Sequence, residues 1–128
     1  MNIQKFTQKS IEAINDCEKL AYEYGNQELE QEHLMVALLR QEDGLILKLI
    51  EKMEINKEHF LKNAEQKLAA RVKVSGGQLY VGQDLNKVLI SAEDEAKSMG
   101  DEYVSVEHLF LTLLKYPNKA MKELFKEY

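Results

Sequence analysis

Two Glu-His-Leu triplets, Glu32-His33-Leu34 and Glu107-His108-Leu109, hold the residue types in this chain best suited to chemistry. A carboxylate beside an imidazole can move protons, ligate a metal or bind a cation. His59 and the single cysteine, Cys17, complete the set. Zinc needs three or four converging donors, and one cysteine with three scattered histidines does not supply them. No metal site is expected. A Cys–His nucleophilic pair requires an exposed thiol of low pKa, whereas Cys17 falls on an apolar helix stripe, where a free cysteine packs as a small hydrophobe. Gly76-Gly77 lacks the following lysine of a phosphate-cradling loop and reads as a flexible connector. No catalytic residue is expected, and these residues call for no cofactor.

Each triplet opens a helix. A first-turn carboxylate meets unpaired amides and the positive end of the helix dipole, and each histidine can bond back toward the cap. On that reading both triplets are structural. On the alternative reading, Glu32 and Glu107 are paired acidic sites that present charge at the mouth of a groove between two units.

The triplets are parts of a longer repeat. Shifted by 75 positions, Phe6–Ile50 lies ungapped on Val81–Phe125, and about ten of the 45 pairs are identical, among them Glu18/Glu93, Ala21/Ala96, Gly25/Gly100, Leu38/Leu113 and Leu49/Leu124. Such self-similarity marks a duplicated unit. Apolar spacing is helical nearly throughout. Thr7 caps a first helix with Ile11, Ile14, Cys17, Ala21 and Tyr24 on one stripe, ended by Gly25-Asn26. A second helix follows over about 32–41, with Leu34, Val36, Ala37 and Leu38 inward. A short third helix carries Leu45, Leu49, Ile50 and Met53. A fourth, capped by Asn56, buries Phe60, Ala64 and Leu68. The second unit places Leu85, Val88, Leu89, Ala92, Ala96 and Met99 on one stripe. Ser105 caps a helix with Leu109, Phe110, Leu113 and Leu114, and Pro117-Asn118 starts a last short helix. The expected fold is all-α: two pseudo-symmetric repeats of about four helices, repeat 1 over 6–71, a connector over 72–80 and a truncated repeat 2 over 81–128. The counterpart of the fourth helix is missing, which suggests a fragment of a longer protein.

With 128 residues, 45% hydrophobic and 30% charged, the chain suits a single domain with a real core. A net charge of −5 disfavours broad nucleic-acid binding. The polar start, Met1-Asn2-Ile3-Gln4-Lys5, has no signal-peptide core, and no apolar run is long enough to span a membrane. One cysteine cannot form an internal disulfide, so a reducing cytoplasm is expected. The absence of a heptad seam favours a monomeric domain.

Lys5-Phe6-Thr7, an alanine-containing helix ending in glycine and a helix opening with Glu-His-Leu, all duplicated, resemble the Clp N-terminal repeat domain. Gly82-Gln83-Asp84-Leu85, Val88-Leu89, Ala92-Glu93, Gly100-Asp101-Glu102 and Ser105-Val106-Glu107-His108-Leu109 are similar to the ClpB branch in particular, although His108 departs from many members of that branch. The resemblance covers nearly the whole chain. It implies an eight-helix or nearly eight-helix domain and a homohexameric AAA+ disaggregase as parent, a stress-response chaperone with ATP and Mg bound in modules beyond Tyr128. It also implies that this domain engages unfolded or aggregated proteins, in concert with the DnaK chaperone system. Thr7, Asp101 and Glu107 match the positions linked to substrate engagement.

The repeat offers a separate route to a binding surface. Apolar positions shared by both units, such as Ile14/Leu89, Cys17/Ala92, Ala21/Ala96 and Leu38/Leu113, should build the common core. Ile11 (opposite Asn86), Leu20 (opposite Glu95) and Leu85 (opposite Ser10) exceed that core's needs. Either they line an exposed groove between the first helices of the units, or unequal packing buries them. Ile11 and Leu85, with Leu89, are counted as candidate substrate contacts. Two rivals stand beside the disaggregase reading. One is an adaptor- or phosphoarginine-binding N-domain of a ClpC/ClpA-type unfoldase, using Glu32 and Glu107. The other is a free-standing helical regulator.

Overall fold

In the computed structural model, residues 3–74 and 76–128 are described; Met1, Asn2 and Ser75 lie outside, the first two in the polar start and the third in the expected connector. A 3-10 turn over Ile3–Lys5 leads into α1 (Gln8–Tyr24), then β1 (Glu28–Leu29), α2 (Gln31–Leu39), α3 (Leu45–Lys52) and α4 (Lys57–Ala69). After the connector come β2 (Tyr80–Val81), α5 (Gln83–Ser98), α6 (Val106–Lys115) and α7 (Lys119–Lys126).

Local chemistry sets most of these boundaries. The Thr7 hydroxyl accepts from the Ser10 amide at the start of α1. Asn56 and Asn118 do the same for the His59 and Met121 amides at α4 and α7. Gly25 ends α1 at φ 72°, a left-handed turn that glycine adopts without steric cost. Its counterpart Gly100 has φ 75°.

Pseudo-two-fold symmetry appears in a feature that helical periodicity does not announce. Leu29 pairs with Val81 in a minimal parallel sheet, and Phe6 forms a parallel bridge with Val104. These two pairs are the same pair with the units exchanged. The Thr7 amide donates to Val104 O at 3.0 Å and the Gly82 amide to Leu29 O at 2.7 Å. Each unit therefore threads the entry of its first helix against the turn of the other.

α2 and α6 form the centre, flanked by α1 and α5, with α3, α4 and α7 closing the sides. Every residue of α2 from Gln31 to Leu39 is buried, the condition of a helix apolar nearly all round and surrounded by others. Phe60, Ala64 and Leu68 of α4 are buried as expected.

Several expectations are corrected. α1 buries Ser10, Ala13, Cys17, Leu20 and Ala21, a face rotated from the expected stripe, and Ile11 and Ile14 are only partly buried. Leu85, Leu89 and Leu20 lie in the core rather than on an exposed groove between first helices. Unequal packing explains them: the small Ser10 fills its place by donating its hydroxyl to Val104 O at 2.9 Å, where the second unit uses Leu85. Met99 and Leu114, assigned to buried stripes, are exposed.

Candidate functional site

Both histidines of the triplets are locks. The Glu30 amide donates to His33 Nδ1 at 2.9 Å, and the Ser105 amide donates to His108 Nδ1 at the same distance. With Nδ1 accepting, Nε2 carries the ring hydrogen. It donates to Asn26 Oδ1 at 2.9 Å in the first unit and to Asp101 Oδ2 at 2.8 Å in the second. Each histidine thus ties the cap of its helix to the turn after the preceding one. Burial, then the nearby Arg71 charge, lowers His33 to a pKa of about 4, so it is neutral near pH 7.

The carboxylates beside them diverge. Glu32 is 3% exposed. Its Oε2 accepts from Arg71 Nη1 at 2.8 Å and its Oε1 from Asn118 Nδ2 at 2.8 Å. Arg71 also donates to Glu28 at 2.7 Å. Burial opposes the Arg71 charge, but its bonds to Glu32 and Glu28 more than offset this and hold its pKa above the ordinary value. Glu32 does line a cavity of about 510 Å³ between the units, with Lys67, Arg71 and Glu123, but there its carboxylate is paired with Arg71 and Asn118 rather than presented free. Glu107 is exposed, and no hydrogen bond or ion pair engages it among the described residues.

The same divergence runs through the surroundings of each acid. On the first-unit side, Gln31 is 1% exposed and spans the space between α5 and the turn before α7. Its amide nitrogen donates to Asp84 O at 3.1 Å and Tyr116 O at 2.9 Å, and its oxygen accepts from the Asn118 amide at 2.8 Å. Glu30 seals the adjoining corner, accepting from the Gln31 amide at 3.1 Å and the Asp84 amide at 3.2 Å. One carboxylate therefore caps α2 and α5 together. Burial raises Glu30 to a pKa of about 7, against the lowering effect of its bond to the Asp84 amide.

On the second-unit side the equivalent space is more open, although Gln41 Nε2 joins its walls by donating to Lys9 O, the counterpart of Asp84 O, at 2.8 Å. Val106 stands where Gln31 stands in the first unit, and Thr7 and Ser105 replace Gly82 and Glu30. The result is a cleft of about 460 Å³ lined by the start of α1 (Thr7, Gln8, Lys9), the turn into α3 (Gln41, Asp43, Gly44, Leu45) and the start of α6 (Ser105, Val106, Glu107). Its floor is the buried Val106 and Gly44, its apolar wall the 38%-exposed Leu45, and its rim carries the Glu107 and Asp43 carboxylates. Such a cleft can hold a short extended segment with an apolar side chain on the floor and a cationic or amide group at the rim.

Of the residues singled out in the sequence, Thr7 and Glu107 share this cleft. Asp101 lies outside it, lining a separate cavity of about 380 Å³ with Lys5 and Lys97. Through His108 it fixes the start of α6 from which Glu107 projects. Ile11 is partly buried, and Leu85 and Leu89 contribute to the core only. Gln41, Asp43, Leu45 and Val106 were missed. They belong to a turn and a helix start with no periodic signal, although the exchange of Gln31 for Val106 is visible in the aligned repeats. Cys17 is buried, its thiol donates to Ala13 O at 3.4 Å, and burial pushes its pKa up strongly. Among the described residues no group of three His, Cys, Asp or Glu side chains is placed to hold a metal, and no helix is long and apolar enough to cross a membrane.

Residues 5–128 match the family described as the Clp repeat (R) N-terminal domain. The chain is 44% identical over 122 residues to the chaperone protein ClpB of Nitratidesulfovibrio vulgaris, covering 91% of this chain but 14% of that relative's length. In fold it is similar to the Hsp104 N-terminal domain of Candida albicans, with a TM-score of 0.85, 24% identity, and coverage of 96% of this chain and 81% of that one. It also superposes on a complex of the ClpV N-domain with VipB peptide at a TM-score of 0.77 and 17% identity, covering 97% of this chain and 79% of that one.

Proposed function

The chain belongs to the Clp repeat (R) N-terminal domain family, and we propose that it is the substrate-engaging N-terminal module of a ClpB-type AAA+ disaggregase. In this reading it captures unfolded or aggregated polypeptide for ATP-driven threading by downstream modules of a hexamer that works with the DnaK system in the cytoplasm. The observation that carries the proposal is the open cleft at Thr7 and Glu107, whose rim carboxylate has no partner among the described residues. The peptide held by the ClpV N-domain complex supports capture of a segment by this fold.

Covering a few hundred Å² of apolar surface at roughly 25 cal/mol per Å² gives several kcal/mol before ordering costs, hence weak binding. Weak capture suits a module that passes its cargo on. The adaptor- or phosphoarginine-binding alternative relied on two presented carboxylates. With Glu32 held by Arg71 and Asn118, that pairing loses one arm.

The test is an amide-shift titration of the 128-residue chain with a reduced, carboxymethylated, unfolded polypeptide. Shifts should gather at Thr7–Lys9 and Ser105–Glu107, and Glu107→Ala should weaken binding several-fold while the fold persists. Shifts confined to other surfaces, such as the apolar groove of Ile50, Phe110 and Phe125, would refute the proposal.

A further inference from the structure

The two units build the same space twice, and only one copy is open. We infer that the domain carries one working cleft and one latent cleft, and that Gln31 is the residue that closes the second. This inference rests on the reading of the Thr7/Glu107 cleft as a polypeptide site and assigns its valency.

Three linked contacts separate the copies. Gln31 bonds Asp84 O, Tyr116 O and the Asn118 amide, whereas its counterpart Val106 carries no polar group and leaves the floor apolar. Asn118 donates to Glu32, whereas its counterpart, Asp43, stands on the open rim as a second carboxylate. The Glu30 carboxylate occupies the corner beside Gly82, where the open copy has the smaller pair Ser105 and Thr7. The groups that Gln31 satisfies are two carbonyls and an amide of the main chain. In the open copy the counterpart carbonyls are engaged differently: Lys9 O accepts from Gln41 Nε2 at 2.8 Å and Gln41 O from the Gly44 amide at 3.0 Å, and no side chain from the start of α6 reaches them. Gln31 therefore fills in the closed copy the space that Val106 leaves free above the floor of the open one.

The consequence is a stoichiometry. An unstructured decapeptide with central leucine and arginine residues should bind the wild-type chain one to one. Its shifts should mark Gln8, Lys9 and Ser105–Glu107 and leave Gln83, Asp84 and Tyr116 unmoved. Gln31→Val gives the closed copy the open copy's residue. It should double the stoichiometry and add shifts at Gln83, Asp84 and Tyr116. Because Gln31→Val also removes three buried hydrogen bonds, Asn118→Asp is the second variant. It preserves the cap on Met121, places a carboxylate against Glu32, and should also open the second cleft. Two equivalent sites in the wild type would overturn the inference while leaving the function intact. So would a single site in folded Gln31→Val and Asn118→Asp chains. No shift at either cleft would overturn the functional reading and this inference with it.

Discussion

Gly82→Ala is a one-methyl perturbation whose cost can be worked from the structure. Gly82 has φ −71°, a conformation any residue adopts, so the backbone itself raises no objection. The obstacle is Glu30. A Cβ on residue 82 would lie 2.3 Å from Glu30 Oε2 and 2.6 Å from its Cδ, well inside contact distance. The carboxylate must leave a site where it is only 5% exposed, abandoning the Gln31 and Asp84 amides. Two lost caps at about 1 kcal/mol each give a destabilisation of about 2 kcal/mol. For a chain of this size that corresponds to a fall in Tm of roughly 6–8 °C. Urea unfolding followed by circular dichroism measures the cost. The decisive comparison is the same substitution in a Glu30→Ala background, where the three Glu30 atoms nearest the new methyl are gone and it should change stability by less than about 0.5 kcal/mol. Equal costs in the two backgrounds would refute the claim that one carboxylate holds two helix starts.

Two further expectations follow from the same network. Glu30 is raised from 4.5 to about 7, so the folded chain keeps a proton that the unfolded chain releases, and its contribution to stability falls as pH rises from about 4.5 to 7. His33 is lowered from 6.5 to about 4, so its contribution is present above 6.5 and is lost as pH falls toward 4. The two slopes oppose each other where their windows overlap. Glu30→Gln should leave a domain whose stability climbs with pH from 4.5 to 6.5, read by urea unfolding across that range; a curve parallel to wild type would count against it. Asp101→Asn should be nearly neutral, because Asn26 already receives the equivalent histidine bond at 2.9 Å. Asp101→Ala should cost about 1 kcal/mol and blunt peptide binding without touching the cleft. Equal stabilities of the two variants in the same urea assay would show that the His108 lock is idle.

What the sequence disclosed and what it hid divide along a physical line. Caps and helix ends are decided by neighbours three or four residues away, so Thr7, Gly25, Asn56 and Asn118 were readable from the chain. The repeat was readable because both units kept the same short-range devices at the same spacing. The crossed bridges of Phe6 with Val104 and Leu29 with Val81 were not, since a two-residue strand has no period to detect. The burial of Gln31 and Glu32 was hidden for a different reason. Polar residues at a helix start read as surface unless their partners are known. Here Gln31 bonds Asp84, and Glu32 bonds Arg71 and Asn118, at separations of 39 to 86 residues in the chain. Leu85 is buried although its counterpart Ser10 is polar, because Ser10 satisfies its own hydroxyl through Val104 O and fills less space, which lets one core accept unequal partners. The difference between the two clefts lies instead at positions where a polar residue in one unit stands opposite an apolar or smaller residue in the other. Gln31 against Val106 and Glu30 against Ser105 mark where the two-fold breaks. A break of symmetry between otherwise equivalent helix starts is where a duplicated fold can keep one site for binding and close the other with its own side chains.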